Sequence, residues 1–190
     1  MKLSREFYSR DTESVARELL GKIIVHKTKE GILKGKIVET EAYFGINDPA
    51  SHAYRKKTKR NFLMFETPGK AYVYFCYGNH WLFNIVAKED NNPGAVLIRA
   101  LESLKGIDIM KKKRGVDDIK SLTNGPGKLT RALSIDKRQN GFDLTGNVIF
   151  LEDADENFDI IKAKRIGISK GKSKLLRFYI KKNTFVSSGR

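Results

Sequence analysis

The hydrophobic positions change period several times along the chain, and each change predicts an element. In "RDTESVARELLGK", Val15, Leu19 and Leu20 recur at helical spacing, Asp11 or Thr12 stands where an N-cap belongs, and Gly21 ends the run. "KIIVHK" (22–27) predicts a strand, Glu30-Gly31 a turn, and residues from about Ile32 to Phe44 a longer strand. Residues 45–69 carry Gly45, Pro49, Pro68 and Gly69 around a basic cluster and predict loop. "AYVYFCY" and "HWLFNIV" flank Gly78-Asn79, a hairpin signal, and "GAVLIRAL" predicts a further strand. "GIDIMKKKRG" predicts a short helix with lysines towards its C-terminal end, where the macrodipole favours cations. "NGPGKLTRAL" predicts a glycine-rich loop opening a helix, and "GNVIFLED", "AKRIGIS" and "LLRFYIKK" predict strands. With no repeat, low-complexity tract or linker, the pattern predicts one α+β domain over residues 1–190.

Composition narrows the class. Hydrophobic residues at 40% and charged residues at 31% exclude a disordered chain. No apolar run approaches the roughly 20 residues that span a bilayer, and the first residues lack the apolar core of a secretory signal. One cysteine, Cys76, excludes an internal disulfide and fits a reducing compartment, so a cytoplasmic or nucleoid-associated location is expected. That cysteine and three scattered histidines show no zinc spacing, and no metal is expected. The 37 Lys and Arg against 22 Asp and Glu leave a net charge of +15, which points to a polyanionic partner. The absence of a long basic amphipathic helix favours nucleic acid over membrane; lysine enrichment throughout a proteome is the other explanation of the charge.

Against that basic background, "VETEAYFG" (38–45) places Glu39 and Glu41 in a strand. Alternation groups them with Leu33, Ile37 and Tyr43, so without a bulge they continue the inward side. A carboxylate at the edge of a core needs partners or its pKa rises, which is how a general base is built. A bulge near Gly35 turning both acids outward, or plain salt bridges to lysines, would give the same spacing a structural meaning only.

"YVYFCYGNHWLFN" (72–84) concentrates aromatics on the hairpin. Most belong in a core, but Tyr77 and His80 flank the turn, where an aromatic could act as a wedge between bases. Asn84 interrupts the apolar return strand, either as a satisfied buried amide or as a pocket residue reading a polar ligand edge. "RKKTKR" (55–60) and "GPGKLTR" (125–131), with Lys128 and Arg131, are candidate phosphate contacts or simply solvated surface. Arg99 interrupts an apolar strand and calls for an anionic partner, Glu41 or a substrate phosphate.

Taken in order, "GKIVETEAYFG" followed by His52, "AYVYFCYG" followed by "FNIV", "GAVLIRALE", "NGPGKLTRAL" and the closing "LRFYI" resemble the alkyladenine (3-methyladenine) DNA glycosylase family. The likeness runs from the first helix almost to the C-terminus. It implies a compact domain whose curved, mainly antiparallel sheet is flanked by helices and carries a protruding hairpin. It also implies an enzyme without cofactor, acting as a monomer on duplex DNA that contains alkylated purines. Such an enzyme flips the damaged nucleotide out and hydrolyses its N-glycosidic bond, with no lyase activity. By this resemblance Glu41 is the base that activates water, and Arg99 helps hold water and carboxylate. Tyr43, His52 and Tyr74 stack around the base, Asn84 stands at the pocket edge, and Tyr77 fills the gap in the duplex. Arg55, Lys57, Thr58, Arg60, Lys128 and Arg131 meet the DNA backbone, and Glu39 is left as a supporting carboxylate.

One geometric condition follows. A two-residue Gly78-Asn79 loop would put Tyr74 and Asn84 on opposite faces, so a shared pocket requires a three-residue loop, Gly78-Asn79-His80, or a bulge. The rival readings are a non-enzymatic nucleic-acid-binding module and an unrelated hydrolase acting on nucleotides.

Overall fold

The structure is a computed structural model and describes residues 1–76, 78–88 and 92–187. Its strands are β1 (Ile23–Thr28), β2 (Gly31–Tyr43), β3 (Ala71–Cys76), β4 (His80–Val86), β5 (Ala95–Lys105), β6 (Ile149–Glu152), β7 (Ile160–Ala163) and β8 (Arg177–Ile180). The helices are α1 (Arg5–Tyr8), α2 (Thr12–Glu18), α3 (Ile107–Arg114) and α4 (Pro126–Ala132), with short 3₁₀ turns such as Phe62–Phe65. The fold is α+β: the strands form one curled, antiparallel half-barrel sheet with helices against it.

The central strand is β2. Along one edge it pairs with β5; along the other, β1 takes its first half and β8 takes residues 39–41. The sheet path is β3-β4-β5-β2-β1-β6, with β7 beyond β8. Register shifts between β2 and β5 at Lys34/Gly35 and around Glu39 add local twist. The pairing is then restored, with Ile37 opposite Leu101 and Glu41 opposite Leu97.

Alternation along β2 proves only half of its burial. Leu33 and Ile37 are buried as expected, and Glu39 and Glu41 are both 0% exposed, so no bulge turns the acids outward. Val38, Thr40 and Ala42 are buried as well, because α2 covers their side: Thr40 Oγ1 donates to Ala16 O at 2.7 Å. The α2 helix starts as its sequence predicts, with the Asp11 carboxylate accepting from Ser14 N–H, and Gly21 follows it at φ +81°. The α3 and α4 helices also form where predicted.

Two expectations are corrected. "AKRIGIS" (163–169) is loop beyond Ala163, and the strand lies before it as β7. The hairpin pairs Cys76 with His80, so the three positions between the strands are 77–79 and not 78–80. The short α1 helix lies outside the predicted elements, and Ser4 stands at its N-cap without a side-chain hydrogen bond. Among the described residues no helix is long and apolar enough to cross a membrane.

Candidate active site

The hairpin register decides which side chains meet. Tyr72 lies opposite Asn84, Tyr74 opposite Leu82 and Cys76 opposite His80, so all six share one face. They line a cavity of about 750 Å³. The condition set by the sequence is therefore met: Tyr74 and Asn84 belong to one pocket. Asn84 is 3% exposed, and its Nδ2 donates to Tyr72 O at 3.1 Å.

The aromatic wall is tightly linked. The His52 ring sits edge-on to Tyr74 with centroids 4.6 Å apart, and Tyr72 and Tyr74 are 5.2 Å apart. Tyr72 OH and His52 Nδ1 share a 2.8 Å hydrogen bond. Burial, and then the nearby Arg60 cation, lower the His52 pKa, so its imidazole is neutral at neutral pH. Burial pushes Tyr72 up to about 12 and Tyr74 higher, so both phenols stay protonated.

On the β2–β5 side, Tyr43, Leu97 and Arg99 line the cavity, and the fully buried Glu41 is in contact with Tyr43 and Arg99. Glu41 Oε1 accepts from Ile166 N–H at 2.7 Å and faces Arg99 Nη1 at 3.3 Å; Oε2 accepts from Tyr43 OH at 2.8 Å. Burial raises the Glu41 pKa, while Arg99, Ile166 N–H and Tyr43 OH pull it back and the Glu39 charge adds to the rise. Burial and the Glu41 charge hold Tyr43 well above its usual phenol range.

Glu39 is differently placed. Arg99 Nε at 3.1 Å, Arg177 Nη1 at 3.0 Å and Ser187 N–H at 2.7 Å all donate to it. It neutralises the far side of the Arg99 guanidinium and ties β2 to β8 and the C-terminal segment. Arg99 thus finds its anionic partners in both strand carboxylates.

The basic residues divide into groups. Lys128 lines the cavity, with Nζ 2.8 Å from Asn124 Oδ1, and Arg131 is exposed, its Nε donating to Lys113 O. Arg60 lies over the Tyr74 ring at 5.4 Å and donates to Phe75 O. Lys57 pairs with Glu66 at 3.3 Å. Thr58 serves its own loop through reciprocal hydrogen bonds with Asn61. Arg55 lines a shallow neighbouring hollow with Lys56 and Lys170. Tyr77 lies outside the described residues.

Several cavity residues carry no functional signal in the sequence: Tyr72 is both core and cavity wall, Arg114 closes a lysine-rich helix, and Ile166 lies in a segment whose pattern predicts a strand. Gly127 packs so closely on His80 that a Cβ there would lie 2.7 Å from the imidazole Cγ. Among the described residues no group of His, Cys, Asp and Glu could hold a metal ion.

Comparison with known proteins gives the family of the chain. Residues 6–184 match the methylpurine-DNA glycosylase family. The chain belongs to that family. It is 52% identical over 190 residues to a protein of Carboxydothermus hydrogenoformans, covering 98% of this chain and 99% of that one. It is 50% identical to one of Prosthecochloris aestuarii (96% and 89% covered) and 46% identical to one of Clostridium acetobutylicum (98% of each). All three carry the name "Putative 3-methyladenine DNA glycosylase". In this DNA glycosylase family member, the aromatic wall and the arginine between two acids line one cavity, and the buried carboxylate is held behind them.

Proposed function

We propose that this chain is a DNA repair glycosylase acting as a monomer on duplex DNA. It turns an alkylated purine nucleotide of the 3-methyladenine type into the cavity and hydrolyses its N-glycosidic bond. The observation that carries the reading is Glu41, a fully buried carboxylate held directly behind an aromatic cavity wall. A carboxylate oxygen offers about two acceptor positions. Ile166 N–H donates to Oε1 and the Arg99 guanidinium faces the same oxygen, whereas Tyr43 OH is the one described donor to Oε2, leaving a position there for the attacking water. Burial makes Glu41 a stronger base than a surface glutamate, and Arg99 keeps it ionised enough to act.

The leaving group needs little help. An alkylated purine of this type carries positive charge, and the faces of Tyr43, Tyr74 and Tyr72 attract a cation by roughly 0.5–2 kcal/mol per contact. Tyr43, His52 and Tyr74 then stack the base, and Asn84 presents its amide at the pocket edge. Flipping costs a few kcal/mol, least for a damaged base. Tyr77 fills the gap, and Arg55, Lys57, Thr58, Arg60, Lys128 and Arg131 offset the cost along the backbone. The neutral His52 is not required as a proton donor. The product is an abasic site in an uncut strand.

The test is base release from methylated duplex DNA under single-turnover conditions. Glu41→Gln abolishes release while binding to the lesion duplex survives. Release at the normal rate by this variant would remove Glu41 from the mechanism. Unchanged polyanion binding with no release from either protein would favour a non-enzymatic module.

A further inference from the structure

Beside the base lies a second, still more deeply buried ion pair. The side chains of Arg165 and Asp48 are both 0% exposed and meet through two contacts of 2.6 Å, Nη1 to Oδ2 and Nη2 to Oδ1. An apolar pair of similar volume is often at least as stable as such a pair, so stability alone is a weak reason for it. Its other contacts point to Glu41. Nη1 also donates at 2.9 Å to the carbonyl of Ala42, the residue between Glu41 and Tyr43. The guanidinium lies 4.5 Å from the Tyr43 ring centroid, and Tyr43 OH donates to Glu41 Oε2. The next residue in the chain is Ile166, whose N–H donates to Glu41 Oε1.

Asp48 braces the other side. Its carboxylate accepts from Phe44 N–H at 3.1 Å and Ala50 N–H at 3.3 Å, shaping the loop that puts Pro49 and Ala50 on the cavity wall. Gly171, at φ +64°, passes so close that a Cβ would lie 3.3 Å from Arg165 Nη2.

We propose that Arg165, braced by Asp48, is a positioning residue for the general base, holding one hydrogen-bond donor on each oxygen of Glu41. This rests on the reading of Glu41 as the base. The charged and titratable groups facing Glu41 are Glu39 and Tyr43 on β2, Arg99 on β5, Tyr74 on β3, Arg177 on β8 and Arg165 itself. Arg165 lies over the Tyr43 ring and is the chain neighbour of Ile166, so it is linked to both donors. When the clamp loosens, the donors withdraw, the carboxylate holds its proton more tightly, and base release needs a higher pH.

The experiment follows single-turnover base release from methylated duplex DNA against pH for the full chain and its Asp48→Asn, Arg165→Lys and Glu41→Gln variants. Binding of an abasic duplex is measured alongside. Asp48→Asn and Arg165→Lys should move the acid limb upward by about one pH unit. They should regain most of the plateau rate above it and bind the abasic duplex as the unaltered chain does. An unmoved limb, or a loss of rate equal at every pH, overturns the proposal while an inactive Glu41→Gln leaves the base in place. Release by Glu41→Gln removes both. The unaltered chain supplies a measurement that no variant's folding can compromise: the Ile166 amide resonance should titrate with the midpoint of the acid limb, and a resonance that ignores it overturns the clamp.

Discussion

Glu39 and Glu41 stand two residues apart on one strand, both fully buried, and differ only in what surrounds them. Glu39 takes a backbone N–H and two arginines, whereas Glu41 shares Arg99 and is otherwise held by Ile166 N–H and a tyrosine hydroxyl. The raised Glu41 pKa has a consequence for stability. Between the unfolded value and the raised folded value, the native state binds more protons than the unfolded chain, so this contribution is fully present below the unfolded pKa. It is lost as pH rises through the folded pKa. Glu41→Gln removes the titration. The melting temperature of the variant minus that of the unaltered chain should therefore climb with pH from the ordinary carboxylate range upward. A difference that stays constant in pH would mean that Glu41 keeps an unperturbed proton affinity. Half of this site was legible in the sequence. Glu41, Tyr43 and Arg99 stand out as polar groups inside apolar strands, but Ile166, Arg165 and Asp48 do not. Their part depends on a backbone N–H and on a buried pair that joins loops more than a hundred residues apart.

At the scale of elements, strands were legible wherever alternation and turn chemistry agreed, as in β2, β3, β4 and β5, but the register of the β3–β4 hairpin was not. The segment 163–169 misled because Ile166 and Ile168 alternate like strand residues, yet both line the cavity, and Ile166 N–H serves a carboxylate instead of a ladder. The burial of Val38, Thr40 and Ala42 was equally hidden, since the covering helix comes from residues 12–18. That helix is docked at Gly94, on the approach to β5. Thr12 Oγ1 donates to Ala87 O at 2.8 Å, and a Cβ on Gly94 would lie 2.2 Å from Thr12 Oγ1 and 2.5 Å from Ala87 O. Gly94→Ala therefore forces the start of α2 away from the sheet and breaks a buried hydrogen bond. The expected loss is about 2–4 kcal/mol, a fall of roughly 5–10 °C in melting temperature for a chain of this size. A melting temperature within a degree or so of the unaltered chain would show that the helix docks elsewhere.

Over the whole molecule, a net charge of +15 accompanies a cavity whose proposed chemistry rests on one buried carboxylate. The charge is not spread evenly in function. Lys57 is paired with Glu66, whereas Lys128 and Arg114 border the cavity and Arg131 lies close enough to Arg114 to lower its pKa, after burial. Two guanidinium groups held near each other favour an anion between or beside them, and a duplex backbone supplies one every few ångströms. If about five phosphates are neutralised, log K for duplex DNA should fall with log salt at a slope near −4.5. Arg131→Ala should then weaken binding to all sequences alike and flatten that slope by about one unit. Lys57→Ala should change it less, because Glu66 already occupies that cation. The slope separates duplex DNA from a free nucleoside as substrate: a small uncharged ligand releases few counterions, so a flat salt response would place the scissile bond outside DNA.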